Sequence, residues 1–208
     1  MVQQVLSVQD IIGERISHVV IMGIGEPFDN YDETMRFIDI INDPHGLEIG
    51  ARHITVSTSG IVPKIYAFAK EPRQVNLAIS LHAPNDDIRS SIMKINNVYP
   101  IYDVIQAAKH YVQETNRRVT FEYILLQGIN DELWHADELS DLLRGLNCYV
   151  NLIRYNPVDE FSYEGTEEDK ARAFHHRLMD RGITATLRHE KGGDIDAACG
   201  QLRSKNLN

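Results

Sequence analysis

Cysteine is scarce in this chain of 208 residues: Cys148 and Cys199 are its only two. They can form at most one disulfide, which excludes a small secreted scaffold stapled by several bridges. They also cannot supply any site that needs three thiolates. Positive charge is in deficit as well, with 21 Lys plus Arg against 30 Asp plus Glu, a formal net charge of −9 and a pI near 5.4. No overall positive field draws in nucleic acid, so any RNA contact is local or is supplied by another domain. Long hydrophobic runs are missing too. The longest, such as Val19-Val20-Ile21-Met22, fall far below a membrane span of about 20 residues, and no charged-then-apolar leader follows Met1. A cytoplasmic location without membrane contact is the expectation. Linkers of Pro, Gly and Ser, low-complexity tracts and repeats are also absent, so residues 1–208 are read as a single domain.

What is present is 43% hydrophobic and 25% charged residues, enough to bury one core. Short β-branched apolar runs alternate with longer stretches of helical period, the pattern of a parallel sheet crossed by helices. The predicted class is α/β. Strands are expected at 17–22, 53–57, 75–80, 118–125, 150–154 and 184–188. Ile101, Val104, Ile105, Ala108, Tyr111 and Val112 fall on one helical stripe, and helices also fit 133–146 and 167–179. Asn30 with Glu33, and Thr166 with Asp169, place a side-chain acceptor before a helix and carboxylates in its first turn. Residues 2–12 read as a helix with no strand before it, whereas every later helix has one. An α/β barrel normally opens with a strand, so the expected architecture is an incomplete barrel whose first strand is missing.

In parallel α/β proteins functional groups gather at the carboxyl ends of the strands, where loops and helix N-termini point. Four of the predicted strands end there in small or polar residues: Gly23-Ile24-Gly25-Glu26-Pro27, Ser57-Thr58-Ser59-Gly60, Ser80-Leu81-His82-Ala83-Pro84-Asn85 and Tyr155-Asn156-Pro157. Glycines let backbone approach a ligand. Glu26 can accept hydrogen bonds from an ammonium, and Ser57, His82 and Asn156 can serve a carboxylate, ribose or base edge. Each piece also has a plainer reading: Gly23 and Gly25 turn the chain, the serines cap the next helix, His82 is a satisfied imidazole and Asn156 forms a turn. Their coincidence on one rim favours a polar small-molecule site.

Cys148 precedes an apolar strand at its amino end, opposite that rim, and reads as a small buried hydrophobe. Cys199 lies among small and acidic residues, which leave a thiol accessible without lowering its pKa, so chemistry alone leaves a nucleophile and an inert thiol evenly matched. Arg172, Arg177, Arg181, Arg188, Lys191, Arg203 and Lys205 form either a solvated helix face or a phosphate-facing patch. No metal-ligand set is read in this chain.

Taken together, VVIMGIGEPFDNY at 19–31, RHITVSTSGIVP at 52–63, LAISLHAPNDDIR at 77–89, the segment 150–157 and DIDAACGQLR at 194–203 resemble the RlmN/Cfr family of radical S-adenosylmethionine (SAM) RNA methyltransferases. The resemblance runs from near Met1 to about Lys205. It implies a partial (β/α)6 barrel, with barrel strands and SAM pocket in about 17–157 and a C-terminal extension in 158–208. It implies an enzyme that methylates C2 of an adenine in 23S ribosomal RNA, and in some members also in transfer RNA. By motif match Gly25 and Glu26 would hold the SAM amino group, and Ser57, Ser80, Leu81, His82 and Asn156 would line the rest of the pocket. Cys199 would be the thiol methylated by one SAM; as methylcysteine it then loses a hydrogen to the 5′-deoxyadenosyl radical made from a second, and adds to the adenine.

The departures from that family are as specific as the match. Its members hold a [4Fe-4S] cluster with a CxxxCxxC loop and release product with a further cysteine; this chain has one cysteine besides Cys199, and no cluster forms without thiolate ligands. The family's basic N-terminal RNA-recognition domain and upstream acid/base glutamate are not in this sequence. The expectation is a C-terminal part of such an enzyme, inactive alone, with an exposed sheet edge prone to self-association or to pairing with a missing N-terminal piece. Two alternatives remain: a non-catalytic SAM- or RNA-binding remnant acting with a partner chain, and a different α/β enzyme using Glu26 and His82 as acid and base.

Overall fold

The computed structural model describes residues 1–22, 25–157 and 162–188. Among them lie six strands: β1 (Val19–Ile21), β2 (Ile54–Thr58), β3 (Asn76–Ser80), β4 (Val119–Leu125), β5 (Cys148–Arg154) and β6 (Ala185–Leu187). All six predicted strands are found. They form one sheet in the order β1-β2-β3-β4-β5-β6, every pair parallel. Parallel neighbours laid down in sequence order need crossovers of one hand, which places the helices on a single face. The opposite face stays open, as in a barrel and unlike a doubly wound sheet.

Burial along the strands records this asymmetry. In β2, Ile54 and Val56 are fully buried while Thr55 and Ser57 are half-buried; in β4, Phe121 and Tyr123 point into the helical layer, where Tyr123 meets Phe174 with ring centroids 5.5 Å apart. One face is therefore the hydrophobic core. The other carries Thr55, Ser57, Ser80, Thr120, Glu122, Asn151 and Thr186.

The helices are α1 (Val2–Ile12), α2 (Tyr31–Asn42), α3 (Val62–Ala69), α4 (Asp86–Ile92), α5 (Ile101–Thr115), α6 (Leu133–Leu142) and α7 (Glu168–Asp180). The predicted stripe of α5 is buried at Ile101, Val104, Ile105, Ala108 and Tyr111, and the helix stops at Asn116, whose left-handed φ of 53° ends the ladder. Two predicted caps differ. Asn30 occupies the cap position of α2 but makes no side-chain cap bond. Thr166 is not the cap of α7; its hydroxyl donates to the buried Asp131 carboxylate at 2.9 Å, a distant acceptor that satisfies a buried hydroxyl better than a solvated helix end does. Asn85 is instead a true cap, accepting from Ile88 N at 3.0 Å.

Among the described residues no helix is long and apolar enough to cross a membrane. The basic residues of α7 form a solvated helix face rather than a free patch: Arg172 pairs with Glu168, and Arg177 and Arg181 pair with Asp137 and Asp141 of α6. Lys191, Arg203 and Lys205 lie outside the described residues.

Candidate functional site

Gly25 and Glu26 follow β1 at the carboxyl rim. Gly25 takes φ 103°, a conformation that side chains disfavour, and this turns the chain so that the Glu26 carboxylate faces β2. There Oε2 accepts from Ser59 N at 2.6 Å and from Ser59 Oγ at 2.7 Å, while Oε1 accepts from Phe28 N at 3.0 Å. Glu26 is thus pinned across two strand ends before any ligand arrives. Ser59, which holds it, was not among the predicted site residues. Ser57 sits half-buried within β2 on the open face, as its alternation requires.

The end of β3 supplies Ser80, Leu81 and His82. The backbone N–H groups of Leu81 and His82 both donate to Glu122 O, at 3.0 and 3.2 Å. His82 has φ 57°, unusual for a side chain of this size. Two contacts hold it there. Its Nδ1 accepts from Ile124 N at 3.1 Å, and its carbonyl accepts from Asn130 Nδ2 at 2.8 Å. Burial first, and then the positive charge of Arg89, push the His82 ring down to about 4, so it is neutral near pH 7. With Nδ1 occupied as an acceptor, neutral His82 carries its proton on Nε2 and presents a donor.

Beside Ser80 a polar row crosses the open face. Ser80 pairs in register with Glu122, Glu122 with Asn151 and Asn151 with Thr186. Asn151 Nδ2 donates to Glu122 Oε2 at 2.7 Å, and Tyr149 OH donates to Thr186 Oγ1 at 2.7 Å. Burial raises the Glu122 carboxyl above the ordinary range, opposed by the Asn151 hydrogen bond and Arg188. Asn156 follows β5 on the same rim and is half-buried.

The structure therefore brings Gly25, Glu26, Ser57, Ser80, His82 and Asn156 to one rim and the open face beneath it, whereas Leu81, predicted with them, turns its side chain into the hydrophobic core and has its N–H and carbonyl bonded to Glu122 O and Arg89 Nε. Cys199 lies outside the described residues. Cys148 opens β5 at the amino end, buried, with its thiol pushed up to about 11 by that burial, which agrees with a structural role. Asn130 was also missed. It is fully buried, and besides His82 O it donates to Ile124 O at 2.7 Å and accepts from Leu126 N at 2.8 Å. The only sequence signal for it is a polar residue shortly after a strand.

An open-faced parallel sheet whose rim carries a pinned carboxylate and a neutral imidazole donor defines an α/β barrel-type protein. The Radical SAM superfamily model matches residues 2–139, and the chain belongs to that superfamily. Over its length it is similar to two proteins described as probable dual-specificity RNA methyltransferase RlmN. One, from Bacillus subtilis, is 56% identical across 98% of this chain and 57% of its own length; the other, from a Thermoanaerobacter species, is 55% identical across 100% of this chain and 60% of its own. A solved radical SAM methyltransferase from Sphaerobacter thermophilus superposes with a TM-score of 0.93 at 50% identity, covering 97% of this chain and 60% of that one. A domain of a pyruvate-formate lyase-activating enzyme from Bacteroides vulgatus, at TM-score 0.61 and 17% identity, shares the fold. The chain spans about 60% of the length of the relatives it matches.

Proposed function

We propose that this chain is the SAM-holding part of an RlmN-like RNA methyltransferase acting on C2 of adenine in 23S ribosomal RNA, some members of that family acting also on transfer RNA. The observation that carries this reading is the coincidence of whole-chain similarity to such enzymes with a rim whose groups suit a zwitterionic nucleoside. Gly25 and Glu26 take the ammonium, the carboxylate already being aimed by Ser59 and Phe28 N. Ser57, Ser80 and Asn156 line the remainder, and His82 offers its Nε2 proton to an acceptor. SAM, when bound, supplies the methyl group, and Cys199 is the proposed carrier. The enzyme works in the cytoplasm, and the whole of 1–208 acts as one unit.

The residues present do not fit a [4Fe-4S] cluster. Two cysteines cannot furnish three thiolates, and Cys148 is buried at the wrong end of the sheet with a thiol that resists ionisation. The chain alone is proposed to be inactive. A partner segment or a second copy of the chain is proposed to cover the β1 edge, which among the described strands pairs only with β2. Isothermal titration with SAM tests the pocket. Weak binding is expected, because the cluster's hold on the amino acid end is missing, and Glu26→Ala is expected to weaken it about a further tenfold. Tight binding favours the alternative of a SAM-binding remnant that acts with a partner chain, and binding indifferent to Glu26→Ala overturns the site.

A further inference from the structure

Arg89 is the largest fully buried side chain among the described residues. It makes none of the proposed SAM contacts. A guanidinium has five N–H donors, and here all five have acceptors. Nε donates to Leu81 O at 3.2 Å, Nη1 to Asn96 Oδ1 at 2.9 Å and Tyr99 O at 3.3 Å, and Nη2 to Ser59 O at 2.7 Å and Ser80 O at 3.2 Å. None of the five acceptors is a carboxylate. The nearest compensation is indirect, through Asn96, whose Nδ2 donates to Asp86 Oδ1 at 2.8 Å. Burying a charge on neutral acceptors is costly, and burial pushes the Arg89 guanidinium down to about 10. A residue kept at that cost is doing something that an apolar side chain of the same size does not.

Three of the acceptors belong to the site. Ser59 holds Glu26, and Ser80 and Leu81 lead into His82. The next residue after Ser59 gives an independent sign that this space is reserved: a Cβ on Gly60, which has φ 109°, would lie 3.1 Å from Arg89 Nη2.

We propose that Arg89 is a positioning residue of the candidate site, its planar fork fixing the separation between the strand end that carries Ser59 and Glu26 and the strand end that carries Ser80, Leu81 and His82. The proposal rests on the reading of this rim as a SAM pocket. A ligand that reaches both strand ends senses that separation, whereas one that engages a single end does not. S-Adenosylhomocysteine carries the amino acid end together with the nucleoside; 5′-methylthioadenosine carries the nucleoside alone.

The test is titration of both ligands into the chain and into Arg89→Lys, which keeps the charge but not the fork, with a thermal melt of each. The expected result is a loss of S-adenosylhomocysteine affinity of about tenfold or more, with 5′-methylthioadenosine affinity held within about threefold. Equal losses for both ligands would mean that Arg89 only holds the fold, and unchanged affinities would mean that it sets nothing; either overturns the proposal. If Arg89→Lys lacks a cooperative melt, Asn96→Ala is measured in its place. It removes the acceptor that aims Nη1 while leaving the guanidinium, and the same selective loss is expected on a smaller scale. A native chain that binds neither ligand refutes the SAM reading itself, an outcome separate from failure of Arg89 alone.

Discussion

The centre of the sheet and its β1 flank are built very differently. β4 and β5 pair along seven residues, with Phe121, Tyr123, Val150 and Leu152 fully buried between them and the helices. β1 pairs with β2 along only three, and the neighbouring α1 buries no residue at all. Yet the candidate site draws on both regions, His82 from the centre and Glu26 from the flank. The difference teaches how a precise group is placed on a weak support. Glu26 does not rely on β1 for its position; Ser59 of the adjoining strand end grips it twice, and Phe28 beside it is buried against Tyr31 and Phe68.

Substitutions that weaken each region in turn should separate these roles. Phe121→Ala, a cavity at the centre, should cost about 3–5 kcal/mol in urea denaturation, lowering the midpoint of the whole cooperative transition. Ser59→Ala should cost about 1–2 kcal/mol, the worth of a hydrogen bond to a charged group and its loss. Its sharper signature is local: faster hydrogen exchange at the Phe28 and Ser59 amides, with the β4 and β5 amides unchanged. Exchange rising equally in both regions would show that the flank is not held by Ser59.

The His82 contribution has a defined sign. Its ring titrates near 4 in the folded chain against an ordinary value of 6.5, so the unfolded chain takes up the proton first as pH falls. Stability from this residue is fully present above 6.5 and is lost between 6.5 and about 4. The melting temperature should fall more steeply over that window in the native chain than in His82→Gln, and parallel slopes would refute a half-buried neutral imidazole. The smallest effect is expected at the flank: Val20→Thr should change stability by about 0.5 kcal/mol or less. A large loss there would mean that β1 carries more of the fold than its pairing suggests.

Much of this was legible along the chain. Each strand is a short apolar run bounded by turn residues, and the rim segments are contiguous, so Glu26, Ser80, His82 and Asn156 announce themselves as polar groups just past apolar ones. Ser59 was hidden because its neighbour Ser57 looks the same in sequence; only the partner 33 positions away distinguishes them. Thr166 looked like a helix cap because its acceptor, Asp131, lies 35 positions back. The row from Glu122 through Asn151 appears as unrelated polar residues inside two strands until the register sets them side by side.

The sequence by itself determined the α/β class, the strand positions and the rim on which polar groups gather, because apolar period and turn residues act within windows of a few residues. Only the tertiary structure decided which polar side chains answer one another: Ser59 with Glu26, Asn130 with His82, and Arg89 with the carbonyls of two strand ends. Those pairings are contacts between segments distant along the chain. Their energies depend on burial and register, which no local window of sequence contains.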